Sequence, residues 1–293
     1  MHRIPIPVEQ SVPTGTTNAC LLGTDRALLV DPPGRHPDLD ALVEERSLAH
    51  LVVTHTHSDH VGGVADYAAE TDATVWARQG RTREFEAATG VTPDGTLAEG
   101  SCLETDTGTV TVLDTPGHAR DHLSFAVRTD GRDVVCCGDL AVEEGSVVVG
   151  APEGDMRAYL TSLRRLRARA PDRLVPGHGP PIDDPRATID RLLGHRLARE
   201  QRVERAVVDG ARTLDAVVDA AYDKDLSGVR DLAVATVRAH LEKLAVERRV
   251  SWDAAADRAT PVTGGGGSDF DAEAEADRDV GADHNDGTDS DDV

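Results

Sequence analysis

Within six positions, His55-Thr56-His57-Ser58-Asp59-His60, the chain sets three imidazoles and a carboxylate directly after the apolar run Leu51-Val52-Val53. Imidazole suits zinc and iron, and carboxylate suits harder divalent ions. The mixture suits two cations that share a water. Three more ligand-type residues stand in turns that follow apolar runs. His118 lies in Asp114-Thr115-Pro116-Gly117-His118, Asp139 follows Gly138, and His178 lies in Pro176-Gly177-His178-Gly179-Pro180. In each case a strand delivers the ligand to its carboxyl end, where Gly or Pro turns the chain toward a common centre.

Thr54-His55-Thr56-His57-Ser58-Asp59-His60-Val61-Gly62-Gly63 resembles the T-H-x-H-x-D-H-x-G-G signature of the metallo-β-lactamase superfamily. Thr115-Pro116-Gly117-His118, Gly138-Asp139 and Pro176-Gly177-His178-Gly179 are similar to that family's later motifs, in order. Asp31 and Thr17-Asn18-Ala19-Cys20-Leu21 look like its opening hairpin, so the likeness runs over residues 13–183. The resemblance carries further, to the family's glyoxalase-II-like group and within it to the β-lactamase-like-protein-2 type. Gly194-His195-Arg196-Leu197-Ala198-Arg199-Glu200 resembles the segment that follows the last metal histidine there. The Glu144-Gly145-Ser146 loop is also similar, but Val147-Val148 stand where an aromatic often follows.

The resemblance implies an αββα sandwich of the α/β class. It implies that His55, His57 and His118 hold one metal, that Asp59, His60 and His178 hold a second, and that Asp139 bridges them; Asp59 is also taken as the catalytic residue. The cofactors are then two divalent cations, Zn2+ first, with Mn2+ or Fe2+ as alternatives. Such a pair, roughly 3.5–4 Å apart, lowers the pKa of a shared water and supplies a hydroxide nucleophile. The expected activity is hydrolysis of an ester, thioester or phosphodiester. The substrate partner is a small-molecule ester or thioester, or single-stranded RNA; a redox or binding protein on the same fold is a third reading. For RNA, base-stacking platforms would have to come from Trp76, Phe85, Tyr159 or Trp252.

To position seven ligands the chain needs strands. Apolar runs over 27–30, 51–53, 74–77, 110–113, 123–127 and 133–137 read as strands, with helical patterns over 64–71 and 156–170. This gives a layered α/β domain over residues 1–185. From Arg186 the pattern becomes helical over 186–209, 214–222 and 229–247, closing with a short strand over 248–252. Residues 186–255 are therefore read as a small winged-helix-like domain, used for packing or for a homodimer rather than for DNA. Residues 256–293 read as a disordered acidic tail, because an Asp-rich segment after Gly264–Gly267 cannot bury enough apolar surface.

The 293 residues carry a net charge of -22, and Lys occurs only at Lys224 and Lys243. Such a Lys-poor, acidic surface suits a salt-rich cytoplasm, where repulsion is screened. For nucleic acid the charge is ambiguous: an acidic surface ordinarily argues against phosphate binding, but in a salt-rich medium that contribution is weak for any protein and a metal pair could grip the scissile phosphate directly. With 39% hydrophobic and 3% aromatic residues, the core must be built from Val, Leu and Ala. No run approaches a membrane span, and Cys20, Cys102, Cys136 and Cys137 lack C-x-x-C spacing. His122 is expected beside the metal ligands or on the substrate side, and His195 in a structural hydrogen bond to the main domain. His36, His50 and His240 are expected at the surface.

Overall fold

Two β-sheets lie face to face because their strands alternate apolar side chains between two buried surfaces. The computed structural model describes residues 1–9, 12, 14–223 and 225–262. The first sheet is formed by β1 (His2–Pro7), β2 (Thr16–Leu22), β3 (Ala27–Val30), β4 (Leu48–Val52), β5 (Thr74–Arg78) and β6 (Gly95–Leu97), in that spatial order. The second contains β7 (Cys102–Thr105), β8 (Gly108–Asp114), β9 (Leu123–Thr129), β10 (Arg132–Gly138) and β11 (Arg173–Pro176), ordered β11-β10-β9-β8-β7.

The alternation is plain in β3 and β10. Leu28 and Val30, with Val134 and Cys136, pack between the sheets. Ala27 and Leu29 face the opposite way, onto Leu39 and Val43 of α1 (Pro37–Glu44) and Val64 and Tyr67 of α3 (Val64–Glu70). Val135 and Cys137 face α5 (Met156–Arg169) and α6 (Pro185–Val208). Helix, sheet, sheet and helix thus form four layers, the αββα sandwich. Adjacent Cys136 and Cys137 point to opposite cores, and all four cysteines are free. Two further helices, α2 (Ser58–Val61) and α4 (Thr82–Thr89), lie before and after β5.

Beyond the sandwich, α6 continues into a bundle with α7 (Leu214–Ala221) and α8 (Arg230–Val246). Val203, Val217, Val237, Leu241 and Leu244 form its core. The bundle is tied back to the sandwich by the Ala151 amide on the Ala235 carbonyl and by Ala239, which joins the α5–α6 core.

A hairpin of β12 (Val250–Asp253) and β13 (Arg258–Pro261) closes the bundle. It corrects the expectation of a tail starting at 256. Ala259 is fully buried and its amide bonds to the Arg212 carbonyl, so the strand has a core to join. Residues 263–293 of that expected tail lie outside the described residues. His240 is also corrected: it is buried, on the same helical face as Val237, Leu241 and Leu244. His50 is half-buried and accepts from Trp76 Nε1 at 3.3 Å, while His36 caps α1 by accepting from the Asp38 amide.

Candidate metal centre

Strands β3 and β4 run parallel, as do β10 and β11, and β8 runs with β10 because both are antiparallel to β9. Their carboxyl ends meet along one edge of the sandwich. There the turn after β4 presents His55 to His60, the turn after β8 presents His118, and those after β10 and β11 present Asp139 and His178. All seven side chains expected as ligands converge there. They form three overlapping groups that could each hold a metal ion: His55, His57 and His118; His55, His60 and Asp139; Asp59, His60 and His178.

The protonation pattern fits cations. Thr54 Oγ1 donates to Asp31 Oδ2 at 2.7 Å, so its lone pair is what receives His55 Nδ1–H at 3.0 Å. His118 Nδ1 donates to the Val148 carbonyl at 2.7 Å, His178 Nδ1 to the Thr16 carbonyl at 3.0 Å, and His60 Nδ1 to Asp31 Oδ2 at 3.0 Å. With Nδ1 spent outward, all four rings turn Nε2 inward; on His55 and His118 it is a lone pair, while on His178 it holds a proton toward Asp59 and Asp139 that a bound cation would displace. His57 completes the set through Nδ1, which stands 2.9 Å from His55 Nε2 and 3.0 Å from His118 Nε2.

A cation placed among these three nitrogens would take a lone pair from each. Burial, and then the charges of His60 and His118, hold the His55 pKa well below its usual value. Burial likewise lowers His118, against the pull of Asp139. Both shifts favour the neutral ring, the form that binds a cation.

The second group is richer in carboxylate. His178 Nε2 lies 3.3 Å from Asp59 Oδ2 and 3.4 Å from Asp139 Oδ2, and the same Asp139 oxygen is 3.5 Å from His118 Nε2. Asp139 therefore stands between the two imidazole groups. Burial works against charge on Asp139, but the hydrogen bond with His178 and the charges of His118 and His60 hold it far below the usual carboxylate range. Burial also disfavours charge on His178, yet its bonds to Asp139 and Asp59 lift it to about 10. Two buried polar atoms of the site, His60 Nε2 and Asp139 Oδ1, have no hydrogen-bond partner among the described residues, and a coordinated cation would satisfy both.

Two glycines make the approach feasible. A Cβ on Gly177 would come within 2.5 Å of Asp139 Oδ1 and 2.7 Å of His60 Cε1. Gly138 has φ +47°, and a Cβ there would stand 2.7 Å from His122 Nε2 and from Thr54 Oγ1. No other residue fits either place without moving a ligand, at Gly177, or its supports, at Gly138.

A profile of the Metallo-beta-lactamase superfamily matches residues 12–178, more than half of the chain. The chain belongs to the metallo-beta-lactamase superfamily. A Beta-lactamase-like protein 2 homolog of Drosophila melanogaster is 31% identical over 260 residues, covering 82% of this chain and 86% of that protein. An Atrochrysone carboxyl ACP thioesterase of Aspergillus fumigatus is 28% identical, covering 81% of this chain and 58% of the thioesterase. A solved metallo-beta-lactamase family protein from Thermus thermophilus superposes with a TM-score of 0.72 at 23% identity, covering 89% of this chain and 98% of that one. At that identity the likeness is one of fold.

In this metallo-beta-lactamase fold His122 lies next to the ligand set, and it is buried. Its Nδ1 meets Thr115 Oγ1 at 2.9 Å and its Nε2 accepts the Asp139 amide at 3.0 Å, so it fixes the backbone that carries Asp139. Burial, with help from the charge of His118, lowers its pKa to about 3. His195 differs from expectation: its buried Nδ1 has no partner among the described residues, and it sits among arginines of α6.

Several supporting residues escaped the sequence reading. Asp31 accepts from both Thr54 and His60. Asn18 clamps the His178 turn, donating from Nδ2 to the Pro176 and Gly179 carbonyls at 2.9 Å each. Their only sequence signal is position: both lie in the stretch that resembles the family's opening hairpin.

Among these imidazoles His57 is the accessible one, with 36% of its side chain exposed. It opens onto a cleft of about 430 Å³ bordered by Thr56, Arg81, Arg120, Asp121 and Glu153.

Proposed function

We propose that this chain is a metal-dependent hydrolase acting on acyl thioesters. The observation that carries the reading is that His57 Nδ1 lies 2.9 Å from His55 Nε2 and 3.0 Å from His118 Nε2, with Nδ1 of His55 and His118 bonded outward. His55, His57 and His118 would hold one cation, Asp59, His60 and His178 the other, and Asp139 would lie between them. A bound pair of divalent cations, zinc in the first instance, supplies Lewis acidity and lowers the pKa of coordinated water.

The remaining work falls to the chain's own groups. Asp59 is held ionised: burial opposes the charge, but the hydrogen bond from His178 and the charge of His60 outweigh it. It is assigned the proton-accepting role beside its ligand role. Asp31, Thr54 and His122 fix the orientation of the ligands, so little reorganisation is needed during reaction. The cleft beside His57 admits the acyl group, and Arg81 and Arg120 at its border can meet an anionic carrier. Arg120 donates to the Pro152 carbonyl at 2.8 Å, and Arg81 to Glu84 at 2.9 Å.

A thioester is favoured over RNA by where the aromatics lie. Phe85 is packed under α3, Tyr159 under α6, Trp76 against the inter-sheet core and Trp252 in the helical bundle. None borders the cleft. The thioesterase named among the relatives supports the same class. In this proposal residues 1–185 form the hydrolase domain, and the bundle from residue 186 is a winged-helix-like accessory domain. The site of action is the cytoplasm; among the described residues no helix is long and apolar enough to cross a membrane.

The test is a panel of acyl thioesters and single-stranded RNA, assayed at high salt with metal-loaded protein and an Asp59→Ala control. Thioester turnover that the control abolishes is the expected result. RNA cleavage with intact thioesters, again abolished in the control, would replace the proposed substrate.

A further inference from the structure

Helix α6 carries two buried arginines with no acid to meet them. Arg196 and Arg199 are 3% and 7% exposed, and among the described residues neither has a carboxylate within 4 Å. Lys243 and Arg249, by contrast, are paired with Glu200, Glu204 and Glu247. Asp223, the acid that most influences Arg199, is engaged by Arg202 at 3.4 Å.

What the two guanidiniums do touch is neutral. Arg196 Nη2 donates to the Val147 carbonyl and its guanidinium lies 5.6 Å from the Tyr159 ring centre, leaving the buried Nε with no acceptor. Arg199 donates to the Ala221 carbonyl and lies 3.6 Å from the Tyr222 ring centre. Buried charge without a partner is costly, and a guanidinium has five N–H groups to satisfy.

Both side chains line a cavity of about 260 Å³ between the bundle and the 146–148 loop. His195 lines it too, with its Nδ1 also unpartnered. Val148, Leu226, Val229 and Leu232 give the remaining wall an apolar stretch, beside the polar Ser146, Tyr222 and Thr236. The volume is just below the roughly 300 Å³ at which sites for drug-sized ligands begin, so the occupant is small. Val148 also offers the carbonyl that receives His118 Nδ1, so this cavity lies one residue's width from the support of the candidate metal centre.

We propose that this cavity is a binding site for a small organic anion, its carboxylate or phosphate oxygens held by Arg196 and Arg199 and its short apolar body resting on Leu226, Val229 and Leu232. Arg is suited to this because its planar fork meets two oxygens at once. The site is separate from the cleft at His57, and it stands whether or not the thioester reading does. The lowered pKa of His195, pushed down to about 4 by burial and then by Arg196 and Arg199, reports the same positive field.

The test uses the full chain at constant ionic strength with chloride as the reference salt, titrated calorimetrically with hexanoate and with inorganic phosphate. Hexanoate is expected to saturate one site, and Arg199→Gln to weaken it at least tenfold. Leu232→Glu, a change at a residue 49% exposed, places a competing carboxylate at the rim and is expected to weaken it equally without disturbing the fold. Arg205→Gln, outside the cavity at an exposed residue paired with Asp209, should bind as the parent does. Tighter binding of phosphate than of hexanoate, with the same variant pattern, would support the oxyanion site and assign it to phosphates. Absence of saturation by either probe up to about 10 mM, a range that spans weak small-ligand affinities, would overturn the proposal. So would unchanged binding in Arg199→Gln and Leu232→Glu.

Discussion

The Asp31 carboxylate stands 3.0 Å from His60 Nδ1, although 29 residues separate the two in sequence. The same carboxylate takes the Thr54 amide at 2.5 Å and the Thr54 hydroxyl at 2.7 Å, and that hydroxyl in turn receives His55 Nδ1–H. One buried acid thereby sets the tautomer of two imidazoles, one in each candidate ligand group. Burial pulls the His60 pKa down, but Asp31 together with Asp139 and Asp59 raises it overall. Asp31 itself holds φ at 50°, a conformation costly for a residue with a Cβ.

Replacing Asp31 by Asn keeps the shape and removes the charge. Partners of this kind are worth roughly 10- to 100-fold in metal affinity, so Asp31→Asn should lose that much. Competition with a chromophoric chelator measures it, with far-UV circular dichroism as the check on folding. Affinity equal to that of the parent would show that His60 needs no such partner.

Gly138→Ala should destabilise the fold itself. The new Cβ would face His122 Nε2 and Thr54 Oγ1 at 2.7 Å from a backbone with φ +47°. Left-handed strain and overpacking together cost roughly 2–4 kcal/mol. Urea unfolding of the metal-free protein gives the number, and a loss below about 0.5 kcal/mol, the size of an ordinary surface change, would contradict the crowding described here.

His195 links stability to pH. Its pKa is about 4 in the fold, against an ordinary 6.5, first from burial and then from Arg196 and Arg199. Between those values the unfolded chain takes up a proton that the folded chain refuses. Its contribution is therefore complete above pH 6.5, shrinks as the pH falls and is lost once the pH passes below 4. Thermal midpoints at about pH 7.5 and 4.5 should fall less in His195→Gln than in the parent. An equal fall in both would place the acid sensitivity elsewhere.

Much of this centre was legible in the chain because the His55–His60 cluster directly follows an apolar run, and His118, Asp139 and His178 each follow a Gly in the turn after another. The strands over 27–30 and 123–127 and the helices from 156 and 214 fall where the apolar spacing places them. Asp31 was not legible as a support, because its partners reach it only through the parallel pairing of β3 with β4. His240 was readable and misread: with Val237, Leu241 and Leu244 it completes one helical face, which is the spacing of a buried position. Strand β13 was hidden by composition. Arg258 to Pro261 is short, and only Ala259 is buried, so the strand depends on a core supplied by the bundle.

The metal content of the protein tests the central claim most directly. Elemental analysis of the chain purified without added metal, and again after loading with zinc, manganese or iron and desalting, should find about two divalent ions per chain. Substituting Asp139 by Asn should reduce that figure, since its carboxylate lies between the two imidazole groups. Metal content that stays at zero after every loading would contradict the account.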